Sequence, residues 1–252
     1  PWLDAADQAA RRESARQNTT MLRPAHALIL DIDGTLIDSC DTMKLDQWID
    51  NCVKHDHLTT SGEGIKKRPG VDAFLDAAFA AGPVALWTHA HARWADIMVR
   101  RVLVAADGTP RPWAFVWSEK RATRRAPRRS EYSHGGLGCD CFGSAPAIKL
   151  LKKVWKNKQL RSLGFTRQRT LIVEDTPSNC VSNYGNSIYV PSFCAMVRGR
   201  AEADSILPRL TVYLAHLAAA AWRDVRPPEK RGWHLISYAD PAPCCCFTCL
   251  TC

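Results

Sequence analysis

The sequence predicts an α/β fold in which helices flank a mostly parallel central sheet. Short apolar runs recur along the chain and end abruptly in polar residues, as buried parallel strands do. Segments with helical apolar spacing separate these runs, which is the pattern of βαβ units. Ligands bind such sheets beyond the carboxyl ends of the strands, so we expect a site there.

Five apolar runs predict strands. The clearest is Ala-Leu-Ile-Leu, which leads directly into the turn sequence Asp-Ile-Asp-Gly-Thr. The predicted strands are residues 27–30, 83–87, 114–117, 170–173 and 187–190.

Helices are predicted between the strands. Residues 71–81 form a helix that begins near Pro69 and ends at Gly82, and residues 43–54 form a shorter one. Another helix begins at Ser144 as its N-cap. The apolar faces of three helices are Trp94, Ile97, Met98, Val102 and Ala105; Ile148, Leu151 and Trp155; and Leu207, Leu210, Leu214 and Leu217.

Composition divides the chain into a domain with flanking segments. We expect residues 1–24 to be a flexible leader, residues 25–225 to form the α/β domain, and residues 226–252 to be a Pro- and Cys-rich tail. Residues 119–143 are rich in Arg and then Gly and predict a surface insertion. Residues 37–66 are fewer than the roughly 40 that an independent fold usually needs, so we expect no large cap domain.

Charge and cysteine usage restrict the surroundings of the protein. The net charge of +9 favours acidic partners, which include phosphoproteins, nucleic acids and anionic surfaces. The first 23 residues lack a secretory signal, so the cysteines before the tail, from Cys40 to Cys194, indicate reduced thiols in an intracellular compartment, cytoplasm or nucleus. The longest apolar run, residues 210–222, is too short to cross a bilayer.

Acidic and hydroxyl side chains fall at the predicted carboxyl ends of three strands. Asp31 and Asp33 follow the first strand, Thr88 follows the second, and Glu174 and Asp175 follow the fourth. One carboxylate of the first pair can act as a nucleophile while the other transfers protons. In the same turn, Gly34 and Thr35 permit backbone amides to cradle phosphate oxygens.

Each of these residues also has an ordinary structural interpretation. Asp-Gly is a common turn dipeptide, Thr88 is a possible helix cap, and the acidic pair fits a polar turn before Pro177. Lys149 by itself is a solvated helix lysine like its neighbours. We interpret His89 and His91 as helix-start residues rather than catalytic groups.

Taken together and in this order, the motifs resemble those of the haloacid dehalogenase superfamily, whose fold is Rossmann-like. Asp31 to Asp38 resembles the first motif, and Leu86-Trp87-Thr88 resembles the second. Lys149 matches the third motif, and Glu174-Asp175-Thr176-Pro177 resembles the acidic fourth.

Within the superfamily the chain is most similar to the FCP/SCP-type phosphatases, also called the NLI-interacting-factor-like family. Lys67-Arg68-Pro69-Gly70-Val71 and the following Phe74-Leu75 match the pattern that precedes the second strand, and Val190-Pro191-Ser192-Phe193 matches the run after the last strand. The resemblance covers residues 25–225. The chain departs from the family in Gly34, where Glu is common, and in Glu174, where Asp is common.

The resemblance implies a Mg²⁺-dependent phosphatase that works through an aspartyl-phosphate. Asp31 is then the nucleophile and Asp33 the general acid and base. Phosphate is bound by Thr88, Lys149, Gly34 and Thr35, and the dipole at the N-terminus of the helix that carries Lys149 favours the bound anion. The implied metal ligands are Asp31, Asp33 (through its backbone carbonyl), Glu174 and Asp175.

The resemblance also indicates the partner, which is a phosphoprotein if the chain is a protein serine/threonine phosphatase. The alternatives are a phosphatase of nucleic-acid ends or nucleotides, and a non-catalytic binding module with the same fold. Cations within residues 120–129 guide an acidic substrate or nucleic acid, act as a nuclear-import signal, or form a solvated loop. The final cysteines, residues 244–252, indicate a disordered tail, with zinc binding or S-acylation as alternatives.

Overall fold

The computed structural model of the chain describes residues 26–40, 53–124, 147–196, 202–220 and 223–235. Its strands are β1 (Ala27–Leu30), β2 (Ile37–Cys40), β3 (His57–Leu58), β4 (Gly64–Lys67), β5 (Val84–Trp87), β6 (Val116–Trp117), β7 (Thr123–Arg124), β8 (Ala147–Ile148), β9 (Thr170–Glu174) and β10 (Ser187–Tyr189). Its helices are α1 (Val71–Ala81), α2 (Ala92–Ile97, continued by a π-helical turn at Met98–Val102), α3 (Lys152–Lys156), α4 (Lys158–Ser162) and α5 (Ile206–Ala219).

The central sheet has five strands in the order β10-β9-β1-β5-β6, and all its ladders are parallel. Consecutive side chains of a strand point to opposite faces, and β1 shows this directly. Leu28 and Leu30 join the apolar cluster that contains α1 and α5, whereas Ala27 and Ile29 join the cluster that contains residues of α3 and α4. The predicted α/β class with a mostly parallel sheet flanked by helices is therefore confirmed.

A small antiparallel sheet, which the sequence did not predict, covers part of the segment between the first strand and α1. Its order is β2-β4-β3. The predicted helix at 43–54 lies almost wholly outside the described residues, and Val53 and Lys54 are not helical. In the described part of this segment there is a small sheet and no separate cap domain.

The segment around Lys149 differs from the predicted helix. Ser144 lies outside the described residues, and β8 pairs antiparallel with β7 instead of beginning a helix. Helical structure starts only at Lys152, and it is interrupted at Asn157, whose side chain accepts a hydrogen bond from the Leu160 amide and caps α4. Lys149 therefore precedes the helix, and the predicted benefit from a helix N-terminus beneath it was wrong.

The folded body continues past residue 225. Trp233 is buried, stacks on Tyr213 of α5 and donates a hydrogen bond to the Tyr189 carbonyl at 2.9 Å. The domain thus extends at least to Leu235, beyond the predicted start of the tail. Among the described helices, none combines the length and the apolar character needed to cross a bilayer.

His26 makes the stability of the fold depend on pH. Burial and the charge of Arg169 lower the pKa of His26 from 6.5 to about 4. Between these values the unfolded chain binds the proton more readily, so stability is retained above pH 6.5 and lost on acidification. The loss at pH 5 is about 2 kcal/mol. We expect urea unfolding to show a smaller pH 7.5-to-5 difference for His26→Gln than for the wild type; equal differences would contradict this assignment.

Candidate active site

The predicted acidic residues meet at the carboxyl edge of the central sheet. The Asp31 amide donates to the Val173 carbonyl at 3.0 Å, which holds the end of β1 beside the end of β9. Asp31 is only 6% exposed, Glu174 is fully buried and Asp175 is half-buried. Two adjacent parallel strands therefore deliver three carboxylates to one place.

Gly34 lets the turn after β1 approach these carboxylates. Its φ of +74° lies in the left-handed region, and a Cβ there would meet Asp175 Oδ2 at 2.3 Å and Ser192 Oγ at 2.7 Å. The chain's departure from the family at this position is therefore matched by close packing against Asp175.

The phosphate cradle predicted from the amides of Gly34 and Thr35 is not observed. The Gly34 amide donates to the Ile37 carbonyl at 2.8 Å, and the Thr35 amide donates to the Ile32 carbonyl at 3.3 Å. Both amides close the turn internally, which makes them structural groups. The Thr35 hydroxyl oxygen is buried and has no hydrogen-bond partner among the described residues.

Lys149 lies fully buried between two carboxylates. Its Nζ donates to Asp31 Oδ1 in a short contact and to Glu174 Oε2 at 2.6 Å. Burial alone would lower the pKa of Lys149, but the charges of Asp31 and Glu174 outweigh it and raise the pKa above its ordinary value. Lys149 is therefore a permanent cation of the site, and the solvated-lysine alternative is wrong.

Both oxygens of Glu174 are already engaged. Oε2 accepts from Lys149, and Oε1 accepts from Asn179 Nδ2 at 2.9 Å. Burial and the charge of Asp31 raise the pKa of Glu174 to about 7. Glu174 is thus positioned as the anchor of Lys149.

Asp33 is held by two side chains, one from α2 and one from the end of β5. Trp94 Nε1 donates to Asp33 Oδ1 at 3.1 Å, and the Thr88 hydroxyl donates to Oδ2 at 3.5 Å. Burial, together with the charge of Asp31, raises the pKa of Asp33 to about 6. The sequence places Trp94 only on a helix face, because nothing in its local pattern indicates that it contacts Asp33.

Thr88 and the two histidines follow β5. The Thr88 hydroxyl accepts from the Ala90 amide at 2.9 Å, so it stabilises the turn as well as contacting Asp33. His91 is the N-cap of α2, with Nδ1 accepting from the Trp94 amide, as expected of a helix-start residue. His89 has no such role, and burial and the charge of Lys149 lower its pKa to about 4.

A group of carboxylates in the described chain has the spacing to hold a metal ion. Asp31, Glu174 and Asp175 each place one oxygen within 4.8 Å of the others. Carboxylate oxygens are hard ligands of the kind that Mg²⁺ prefers. The Asp33 carboxylate does not belong to this group, because it faces Trp94 and Thr88.

Other predicted features lie partly or wholly outside the described residues. Lys120, Arg121 and Arg124 are described, whereas Arg125, Arg128 and Arg129 are not. The predicted leader and the cysteine-rich end at 244–252 are likewise outside.

Among the comparisons with known proteins, one family model matches a segment of the chain. Residues 26–108 match the family model of NLI interacting factor-like phosphatases. A comparison with curated protein sequences yields no match.

Two solved structures of RNA polymerase II CTD phosphatases are similar to the chain at low identity. An arginine-to-alanine variant of fission yeast Fcp1 bound to beryllium fluoride is 17% identical, with a TM-score of 0.44 over 72% of this chain and 45% of that one. A second Fcp1 structure is 16% identical, with a TM-score of 0.45 over 83% of this chain and 52% of that one. The chain therefore spans about half the length of these proteins.

The family model matches the part of the chain that contains several of the predicted site residues. The matched segment includes Asp31, Asp33, Arg68 and Thr88, four of the residues that carried the sequence resemblance. The resemblance is thereby confirmed: residues 26–108 match the family model of the NLI interacting factor-like phosphatases, and this match supports a phosphoric monoester hydrolase.

Proposed function

We propose that the chain hydrolyses phosphomonoesters of phosphoproteins in a Mg²⁺-dependent reaction through an aspartyl-phosphate on Asp31. The observation that carries the proposal is the buried Lys149, which pairs with Asp31 while Asp33 stands beside it with a raised pKa. A nucleophile, a fixed cation and a protonatable acid are the groups that such a reaction requires.

Asp31 attacks in its ionised form. Burial raises the pKa of Asp31, and the charge and hydrogen bond of Lys149 oppose that shift. A charge-assisted hydrogen bond of this kind favours the carboxylate over the acid. Lys149 is therefore placed both to keep the nucleophile charged and to receive the negative phosphoryl oxygens next to it.

Asp33 moves the protons. With a pKa of about 6, roughly one molecule in ten carries the proton at pH 7. As an oxygen of Asp31 bonds to phosphorus, the bond from phosphorus to the leaving oxygen breaks, and that oxygen takes the proton from Asp33. Asp33 then accepts a proton from water, whose oxygen bonds to phosphorus and releases phosphate and the free Asp31 carboxylate. Trp94 and Thr88 orient Asp33 for both transfers.

The donor set fits Mg²⁺. We assign the ion to Asp31 and Asp175, with the Asp33 backbone carbonyl as the resemblance implies, and we assign Glu174 to Lys149 instead, since its oxygens are engaged. When bound, the ion would supply charge neutralisation for the phosphoryl group.

The substrate class follows from the open edge of the site. In the described part of the chain, the element inserted after β1 is the small sheet β2-β4-β3, which is too small to enclose a ligand. A site that the described residues leave without a lid accepts a large substrate, so a phosphoprotein is favoured over a free nucleotide.

Phosphate release tests the proposal directly. We expect Mg²⁺-dependent release from an aryl phosphate and from phosphoserine or phosphothreonine peptides, loss of release with EDTA, and loss in Asp31→Asn. If the chain preferred a 3′-phosphorylated oligonucleotide, its substrate would be a nucleic-acid end instead of a phosphoprotein. A folded wild type that is inert on all three substrates would leave the non-catalytic binding module as the function.

Two matched substitutions distinguish the acidic residues. Asp175→Asn should raise the Mg²⁺ concentration needed for half-maximal activity, because it removes an ion ligand. Glu174→Gln should lower activity while leaving that concentration nearly unchanged, because it weakens only the anchor of Lys149. If both variants raised the Mg²⁺ concentration for half-maximal activity equally, Glu174 would be a metal ligand after all.

A further inference from the structure

A cationic surface lies outside the candidate active site. We call it the basic face and define it by the exposed side chains of Lys152, Lys153, Lys156, Lys158, Arg161 and Arg167. They belong to α3, α4 and the loop before β9. The chain has no acidic residue between positions 147 and 173, so nothing within this segment offsets their charge.

A hydrogen bond joins α3 of this surface to a neighbouring element. Lys153 Nζ donates to the Arg121 carbonyl at 2.7 Å, which joins α3 to the short helical turn before β7. The exposed Arg121 and Arg124 therefore extend the basic face towards the antiparallel strands β7 and β8. The cations of this region come from two separate stretches of sequence that the fold places side by side.

Two guanidinium groups of this surface are held against tryptophan rings. Arg121 lies over Trp117 at 5.1 Å from the ring centre, and Arg167 lies over Trp155 at 5.9 Å. Trp155 is itself fixed by a hydrogen bond from Nε1 to the Thr170 hydroxyl at 3.3 Å. Stacking restricts the arginine rotamers while leaving their N–H groups available to an anion.

Most cations of the basic face have no acidic neighbour among the described residues; the exception is Arg167, whose charge helps to lower the pKa of Asp224. The ion pairs formed among described residues involve other cations, such as Lys66, Arg68 and Arg226. Six like charges on one surface repel one another, and a polyanion that binds there relieves the repulsion.

We propose that the basic face binds the sugar–phosphate backbone of nucleic acid without reading its sequence. A protein partner would need a buried apolar centre, and between residues 150 and 169 Leu163 is the large apolar side chain that is substantially exposed. Backbone phosphates need only closely spaced cations and donors. This binding is separate from phosphate hydrolysis, since Lys149 points inward to Asp31 whereas the basic face points to solvent.

Fluorescence anisotropy with a labelled 20-base-pair DNA duplex and its single strand tests this proposal. The face variant is Lys152→Glu/Lys156→Glu/Lys158→Glu. The control variant, Lys54→Glu/Arg101→Glu/Arg209→Glu, has the same net charge but alters exposed cations elsewhere. Thermal unfolding of both variants verifies that they are folded.

We expect wild-type binding that weakens with salt and a loss of at least about tenfold in the face variant, whose salt slope on duplex falls by about 3. The control variant should lose much less, because only long-range attraction changes. Equal losses in both variants, or no wild-type binding at low salt, would overturn the proposal. It would also be overturned if a multiply phosphorylated peptide, but neither oligonucleotide, depended on the basic face.

Discussion

Replacing Lys149 with Met is expected to abolish phosphate release and to destabilise the protein by about 3–5 kcal/mol, because it leaves two buried carboxylates without their cation. Asp31 and Glu174 both pair with Lys149, and neither Lys149 nor Glu174 is exposed. Removing one donor of a developing anion alone lowers turnover by about 100- to 1,000-fold. We therefore expect activity to fall by at least that factor.

A second variant separates the electrostatic effect on folding from the effect on catalysis. Lys149→Met/Glu174→Gln removes one of the two unpaired carboxylates and preserves an acceptor for Asn179. We expect it to regain a large part of the lost stability while remaining inactive. Urea unfolding in EDTA and phosphate release in Mg²⁺ measure the two effects. If the double variant were destabilised as much as the single one, the loss of stability would be due to packing and not to charge.

Arg68→Met is expected to destabilise the protein by about 3–5 kcal/mol and to lower activity, although Arg68 contacts none of the proposed catalytic carboxylates. The Arg68 side chain is fully buried and forms a two-point contact with Asp204, through Nε at 3.0 Å and Nη2 at 2.9 Å. It also donates to the carbonyls of Thr35 at 3.1 Å and Pro191 at 2.9 Å.

These contacts explain why both stability and turnover should change. Arg68 ties the turn that carries Asp33 to the loop after β10 and to the residues before α5. Without it, Asp204 keeps the Ile206 amide as a donor but loses its cation, and the carbonyl of the buried Thr35 loses a donor, which lowers stability. A lysine cannot reproduce the planar two-point contact with Asp204, so Arg68→Lys should restore little.

An exposed pair in the same chain serves as the control. Arg100 pairs with Asp96 across one helical turn, and both side chains are more than half exposed. Arg100→Met should change stability far less than Arg68→Met, because exposed ion pairs contribute little. Urea unfolding of the two methionine variants, with kcat and KM measured below the unfolding range, compares the positions. A loss for Arg68→Met no larger than that for Arg100→Met would refute the anchoring role.

Local sequence was sufficient to place the edge of the site. A short apolar strand followed at once by a carboxylate is visible at Asp31 and at Glu174, and Thr88 ends another such strand. Because the carboxyl ends of parallel strands meet at one edge, predicting the strands and their parallel pairing also predicted that these residues converge. The family resemblance then distinguished Lys149 from the neighbouring lysines.

Predictions that depended on local backbone conformation were less successful. The amides of Gly34 and Thr35 were expected to be free, but the turn uses them itself. The helix expected from Ser144 is replaced at Ala147–Ile148 by a strand. Apolar spacing over a few residues is compatible with both structures, and the pairing of β8 with β7 decided between them.

The sequence by itself determined the parallel α/β architecture and the acidic edge, because both follow from short-range patterns of apolar and polar residues. Only the tertiary structure decided that Glu174 holds Lys149, that Trp94 holds Asp33 and that Arg68 fastens the turn beside them. Lys149 and Asp31 are 118 residues apart, and Arg68 and Asp204 are 136 apart. Contacts over such separations are set by how the layers pack around the sheet, so no local pattern records them.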